Sequence, residues 1–299
     1  MLRPHRPERE IDPGPVQIHA RDVQFDVDGV AVHWIPGHPV ASHMGSLLNV
    51  LLPPVERWFV QAFNEALPHV RDPRLAADMR GFIGQEAIHA GAHDHVLDTL
   101  LRDQGLDPDP ILDLVEHLFG TVLAPSTSPH DRRRFNHLRE RLWLIAAIEH
   151  YTAVLGDFAL NNAWDDHGAD PVIVDLFRWH GSEEVEHRSV AHDVAVYFND
   201  SYLARIRAMA VVVPMMAGFF QKGTWYLVKQ DPRIELSWWQ YNRQRMRDSK
   251  RGLLPKFHHL FGTQTLTYFA PRYSPEHMGS TAQAVAYLAA SPAARAALE

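Results

Sequence analysis

Two Glu-x-x-His units recur far apart in the chain, Glu86–His89 in FIGQEAIHAGAH and Glu184–His187 in WHGSEEVEHRSV. On an α-helix that spacing puts a carboxylate and an imidazole on adjacent turns of one face. Such a pair can hold a divalent cation, and it can equally lie on an ordinary solvated surface. The sequence contains no cysteine. Any metal site must therefore use nitrogen and oxygen donors, and thiolate sites, disulfides and cysteine nucleophiles are excluded.

The elements that would position these residues are helical. Turn chemistry at LPHVRDP, RDQGLDPDP, APSTSP and DDHGADP divides residues 47–230 into long helices near 47–67, 73–103, 130–163, 170–200 and 202–229, with a shorter one near 110–123. Residues 1–20 are proline-rich and charged and read as a flexible tail. From 21 to 45 apolar and polar residues alternate (Val23, Phe25, Val27), which fits a short strand or an irregular arm. A C-terminal extension, 276–299, ends in a small alanine-rich helix. The fold expected is all-α: a four-helix bundle with additional helices and a short irregular or β N-terminal arm.

Inward seams follow from alternate steps of three and four residues. They run Leu52, Glu56, Phe59, Phe63, Ala66 in the first long helix and Leu75, Met79, Phe82, Glu86, His89, His93, Val96, Leu100 in the second. The third gives Phe135, Leu138, Leu142, Ile145, Glu149, Thr152, Gly156, Ala159, and the fourth Ile173, Phe177, His180, Glu184, His187, Ala191, Val194, Phe198. Each seam carries a carboxylate at mid-height, and no seam lysine or arginine neutralises it. Buried charges are paired or coordinate metals, and two divalent cations would balance four carboxylates. Bundle carboxylate sites take one glutamate from each of two helices and Glu-x-x-His from the other two. Glu56, Glu86/His89, Glu149 and Glu184/His187 fill that template.

Other residues take supporting places. His180, one turn before Glu184, is expected as a third nitrogen ligand, and His93 as a pocket or supporting residue. Glu183 sits at the margin of the seam, while Glu186 points to the far side, toward solvent or a salt bridge. Thr152 could set a hydroxyl beside the reacting centre or simply pack. Phe59, Phe63, Phe82 and Phe177 are expected to wall an apolar pocket. The uncharged run Ala208–Phe220 is shorter than the roughly twenty residues of a membrane span. A buried core helix is expected there, with an interfacial helix as the alternative because Arg205, Arg207, Lys222 and Trp225 flank it.

A net charge of −7 argues against a nucleic-acid partner, and the start of the chain has no apolar stretch of the kind that opens a secretory signal, so a cytoplasmic location is expected. The segments LPPVERWFV, FIGQEAIHAGAH, AAIEHYTAV and WHGSEEVEHRSVAHDV resemble the bacterial predicted metal-dependent hydrolases of the ferritin-like superfamily, over about 21–275. That resemblance implies a ferritin-like dimetal domain. The pattern His180, Glu184, His187 is similar to the fourth-helix motif of p-aminobenzoate N-oxygenase-type di-iron enzymes. It implies a three-histidine, four-carboxylate site for two Fe ions (Fe/Mn or Mn as alternatives). Glu86 and Glu184 are then the expected bridging residues, with Glu56 and Glu149 terminal. The expected function is O2-dependent oxidation of a small, largely apolar or aromatic molecule, with electrons from a reductase or ferredoxin. Two-metal hydrolysis of an ester or phosphate and non-catalytic iron binding are the alternatives. Peripheral membrane association and a homodimer stay open.

Overall fold

The computed structural model describes residues 16–297, so the flexible tail expected over 1–20 lies mostly outside the described residues. Residues 16–20 do not trail. The Ile18 backbone sits against Gly81 and Ala20 against Gly84, and the His19 carbonyl accepts a hydrogen bond from Gln85 Nε2 at 3.3 Å. Val23, Phe25 and Val27 are buried while their neighbours are exposed. The alternation thus holds in an irregular arm, and no strand occurs among the described residues.

The described protein is all-α. Its helices are α1 (Pro39–Ser46), α2 (Leu48–Ala66), α3 (Pro73–Leu97), α4 (Asp109–His117), α5 (Asp131–Leu160), α6 (Pro171–His187) and α7 (Val190–Asn199). There follow α8 (Tyr202–Gly218), α9 (Thr224–Gln230), α10 (Trp238–Lys250), α11 (Thr265–Tyr268), α12 (Thr281–Ala290) and α13 (Pro292–Ala296). Local chemistry sets the key starts. Asp72 accepts from the backbone N–H groups of Arg74 and Leu75, at 2.8 and 3.3 Å, with Pro73 in the first turn. Asp170 caps α6 through Val172 N at 2.9 Å, with Pro171 in the same role. Each cap is worth about 1 kcal/mol, and proline at the first helical position has no N–H to leave unpaired.

The long helix expected over 170–200 is interrupted after His187, where α6 ends and α7 begins at Val190. No proline or glycine marks the break. Its inward seam nevertheless continues through the buried Ala191, Val194 and Phe198. Phe135 departs from its expected seam place at 37% exposure, because the first turn of α5 projects beyond the core.

Helix α2 packs along α3 and α5 along α6, while α2 meets α5 and α3 meets α6, closing a ring of four helices. α5 and α6 cross at Gly156 and Gly181, where a Cβ on Gly156 would run into the Gly181 carbonyl oxygen. The C-terminal helices belong to the same body. α12 packs on α6, and Asp175 accepts from the Tyr287 hydroxyl at 2.8 Å and from Ala293 N at 3.1 Å.

The segment Tyr202–Gln230 is a helix long and apolar enough to cross a membrane, and a third of its most apolar stretch is buried in the protein. Ala208, Met209 and Val212 face inward, whereas Val211 is 57% exposed. The buried core helix expected here is therefore buried on one face only.

The glycine crossing yields a test. Gly→Ala inside a helix ordinarily stabilises by about 1 kcal/mol. Gly156→Ala should instead destabilise, by about 1–3 kcal/mol, since backbone on α6 cannot yield as a flexible side chain would. Urea denaturation of the variant against the native protein measures the sign.

Candidate metal centre

Seven side chains from the four-helix ring converge at mid-height: Glu56 of α2, Glu86 and His89 of α3, Glu149 of α5, and His180, Glu184 and His187 of α6. The four glutamates are each at most 2% exposed. Their donor atoms form overlapping nests: Glu56, Glu86 and His89; His89, His180 and Glu184; and Glu86, Glu149 and His187, each within 4.8 Å. Glu184 links two sides. Its Oε1 lies 2.8 Å from His180 Nε2 and 3.6 Å from His89 Nδ1, and its Oε2 lies 3.3 Å from His187 Nε2. Glu86 Oε1 also faces both, 3.2 Å from His187 Nε2 and 4.0 Å from His89 Nδ1. Glu149 Oε2 stands 3.2 Å from His187 Nε2, and Glu56 Oε1 stands 3.8 Å from His180 Nε2.

Hydrogen bonding alone does not satisfy this cage. Three carboxylates crowd one imidazole nitrogen, His187 Nε2, which can carry a single proton. Both oxygens of Glu56 and of Glu86, Glu149 Oε2 and His89 Nδ1 are buried without a hydrogen-bond partner. Contacts of 3.2 Å to His187 are close enough for an ion pair, yet they are out of line for a hydrogen bond.

The ring of residues outside the cage fixes which nitrogen each histidine turns inward. His89 Nε2 donates to Glu183 Oε2 at 2.9 Å, so its Nδ1 is left bare toward the cage. His187 Nδ1 donates to Gln85 Oε1 at 2.9 Å, and Gln85 is oriented by giving its amide to Glu186 at 3.1 Å. The third case is a relay. Asn49 Oδ1, which can only accept, receives a hydrogen bond from His93 Nδ1 at 2.7 Å. His93 Nε2 then accepts from His180 Nδ1 at 2.6 Å, which leaves His180 Nε2 facing Glu184. A bare nitrogen and a carboxylate oxygen 2.8 Å apart repel unless a proton or cation lies between them. Donors of this kind, oriented by a second ring of hydrogen bonds, fit divalent cations.

Electrostatics agree. Burial, then the charges of Glu184 and Glu149, push Glu56 and Glu86 well above the usual carboxylate range. Burial and Glu184 push Glu149 up to about 7, against the pull of His187. Burial would also raise Glu184, but His187 and His180 hold it well below. Burial would lower His187, but Glu184 and Glu149 hold it well above its ordinary value. His89 and His93 are held neutral, first by burial and then by His180. Without a cation, then, these side chains must share protons.

Several expected placements need correction. Glu183 is fully buried rather than marginal, bonded to His89 and, at 2.6 Å, to Arg21. Of the two surroundings expected for Glu186, the salt bridge holds: Arg21 covers its carboxylate at 2.9 Å, and the side chain is 1% exposed. The N-terminal arm supplies that cover. Phe177 lines the cavity beside the cage, but Phe59, Phe63 and Phe82 do not. They stack among themselves in the core, with Phe63 and Phe82 4.3 Å apart and Phe82 against His187 at 4.8 Å. They dry the far side of the cage. Thr152 lines the same cavity as Phe177 and donates to Glu149, to its carbonyl at 3.1 Å and its Oε1 at 3.3 Å.

Sequence reasoning missed Arg21, Asn49 and Gln85. Only Asn49 left a signal, a lone amide inside the apolar run SLLNVLL. It also missed a separate cluster in which His33 and His43 both meet Asp231 Oδ2, at 2.6 and 2.8 Å. That cluster ties the arm and α1 to the end of α9.

A family model described as a predicted metal-dependent hydrolase matches residues 19–279. The chain belongs to that family. No curated protein and no solved structure matches it.

Two outcomes follow from the cage. The raised carboxyl pKa values mean that these groups hold protons more tightly in the fold than in the unfolded chain. Their stability contribution is present below the ordinary value of 4.5 and, for Glu149, is lost as pH rises through about 7. A cation must displace those protons. Calorimetric titration with Zn(II) or Fe(II) should show proton release, and affinity rising from pH 6 to pH 8. Asn49→Leu, which keeps the volume but breaks the relay, should weaken binding of one metal equivalent by about 10–100-fold while the fold is retained. Metal titration of the variant followed by circular dichroism checks both.

Proposed function

We propose that this member of the predicted metal-dependent hydrolase family is a two-metal enzyme on a ferritin-like four-helix bundle. Its reaction in this reading is O2-dependent oxidation of a small, largely apolar substrate. Glu56, Glu86, His89, Glu149, His180, Glu184 and His187 would hold two iron ions, with Fe/Mn or Mn as alternatives. The observation that carries the reading is the pair of histidine sides joined by Glu86 and Glu184, with buried donor atoms that no hydrogen bond satisfies. Two metals so held would supply redox equivalents for the reduction of O2.

The residues around the cage support the substrate class. Beside Glu184 and His180 lies a cavity of about 80 Å³ walled by Met44, Leu48, Leu52, Leu155, Phe177 and Phe220. Thr152, His180 and Glu184 supply its polar atoms, and among the described residues no lysine, arginine, asparagine or glutamine lines it. Such a wall excludes water and accepts a carbon-rich molecule. Hydrolysis of an ester or phosphate gains most from donors aimed at a developing oxyanion. Electrons would come from a reductase or ferredoxin, in the cytoplasm or with α8 against a membrane surface.

Two-metal hydrolysis is the second reading, and the family description favours it. One experiment separates the two. Metal-free protein is loaded anaerobically with two equivalents of Fe(II) and mixed with O2. Oxidation is expected within seconds, with a new charge-transfer absorption band and about one O2 consumed per two irons. No fast O2 reaction, together with ester hydrolysis supported by Zn(II) or Mn(II), would put hydrolysis first.

A further inference from the structure

The cavity beside the cage is not isolated. It shares Leu48, Leu52, Thr152, Leu155 and Phe220 with a second apolar cavity of about 60 Å³, which continues toward Met215, Met216 and Phe119. It also shares Phe158, Leu254 and Pro255 with a larger cleft of about 620 Å³, lined by apolar and polar residues together. The three spaces are neighbours that share walls: a cleft of mixed lining, the apolar cavity at Glu184 and His180, and a second apolar cavity.

The cleft has a sign. Lys256, Arg272, His259 and His277 line it, and Asp157 is its one acid among the described residues. The Asp157 carboxylate is already engaged by Asn161 Nδ2 at 3.1 Å. Lys256 and Arg272 are exposed, and among the described residues neither makes an ion pair. Two cations without an ion pair thus stand in the cleft on one side of the apolar cavity, and among the described residues no charged side chain lines the second cavity.

We propose that the substrate is a single-chain anionic amphiphile. Its carboxylate or phosphate head sits in the cleft against Lys256 and Arg272. Its apolar chain runs past Phe158 and Leu254, along Thr152 and Glu184, and on toward Met215. An internal carbon of the chain, rather than its free end, then lies beside the cage. The inference rests on the preceding reading only in taking the Glu/His cage as the reacting centre.

Binding tests it without turnover. Zinc-loaded full-length protein is titrated with decanoate, decyl phosphate and decanol by isothermal calorimetry. Either anion should bind at least about tenfold more tightly than the alcohol, and the stronger of the two names the head group. Octanoate should bind about fourfold more weakly per methylene removed. Lys256→Ala with Arg272→Ala, both at exposed positions, should erase the anion preference and leave decanol binding unchanged. Leu155→Trp, with its folding checked by thermal melting, should weaken all three ligands about tenfold or more. Equal binding of decanol and decanoate overturns the proposal. So does an anion preference that survives the double substitution, or decanoate binding that Leu155→Trp leaves unaltered. Amphiphile binding as expected in a protein whose iron form ignores O2 would keep this inference and discard oxidation. Fast O2 reaction without amphiphile binding would do the reverse.

Discussion

Four carboxylates buried together and left without a lysine or arginine in their midst are the constraint on which the rest of this structure depends. Removing one unpaired carboxylate from water costs several kcal/mol. A folded domain is stable by only about 5–15 kcal/mol. Glu56, Glu86, Glu149 and Glu184 at full burial would therefore exhaust that margin unless protons or cations neutralise them. The upward shifts of Glu56, Glu86 and Glu149, against the downward shift of Glu184, describe the proton solution. The inward nitrogens of His89, His180 and His187 suit a cation instead, since a neutral imidazole adds a ligand without adding charge.

That second solution requires an outer ring that does nothing but hold tautomers. Glu183, Gln85 and the Asn49–His93 pair each take the outward proton of one cage histidine. Two of the three are then tied to Arg21, directly for Glu183 and through Glu186 for Gln85. The guanidinium also balances two carboxylates that would otherwise add to the charge near the cage. This gives the irregular arm its purpose: Ile18 and Ala20 press on Gly81 and Gly84 of α3, and that seating delivers Arg21 to α6. The arm packs as backbone against glycines, so it needs no strand partner to be placed.

This division also explains what the sequence could tell. Periodicity reports which face of a helix is buried, so Glu56, Glu86, Glu149 and Glu184 were legible as charges on apolar seams. The helix spans were legible through capping and breaking residues such as Asp72–Pro73 and Asp170–Pro171. Tautomer-setting contacts depend on pairs far apart in the chain, Arg21 with Glu183 or Asn49 with His93, and helical spacing carries no trace of them. The same limit left Glu183 at the margin of the seam and assigned Phe59, Phe63 and Phe82 to a cavity wall. Their faces were inward as expected. Which side of the cage they filled was decided by how the helices meet.

The way α5 and α6 meet also places the accessible side. Gly156 and Gly181 let the two backbones touch one to two turns from Glu149, Thr152 and Glu184, and both glycines line the cavity beside the cage. A side chain at either position would part the helices and fill that cavity at once. On the opposite flank, Phe82 packs against His187, with Phe63 and Phe59 stacked on Phe82. The cage is therefore closed toward the α2–α3 aromatic stack and open toward the glycine crossing. Thr152 stands at that opening, holding Glu149 with the hydroxyl it presents to the cavity. A molecule that reaches the cage from this side meets Glu184 and His180 first, with His187 and Glu86 behind them.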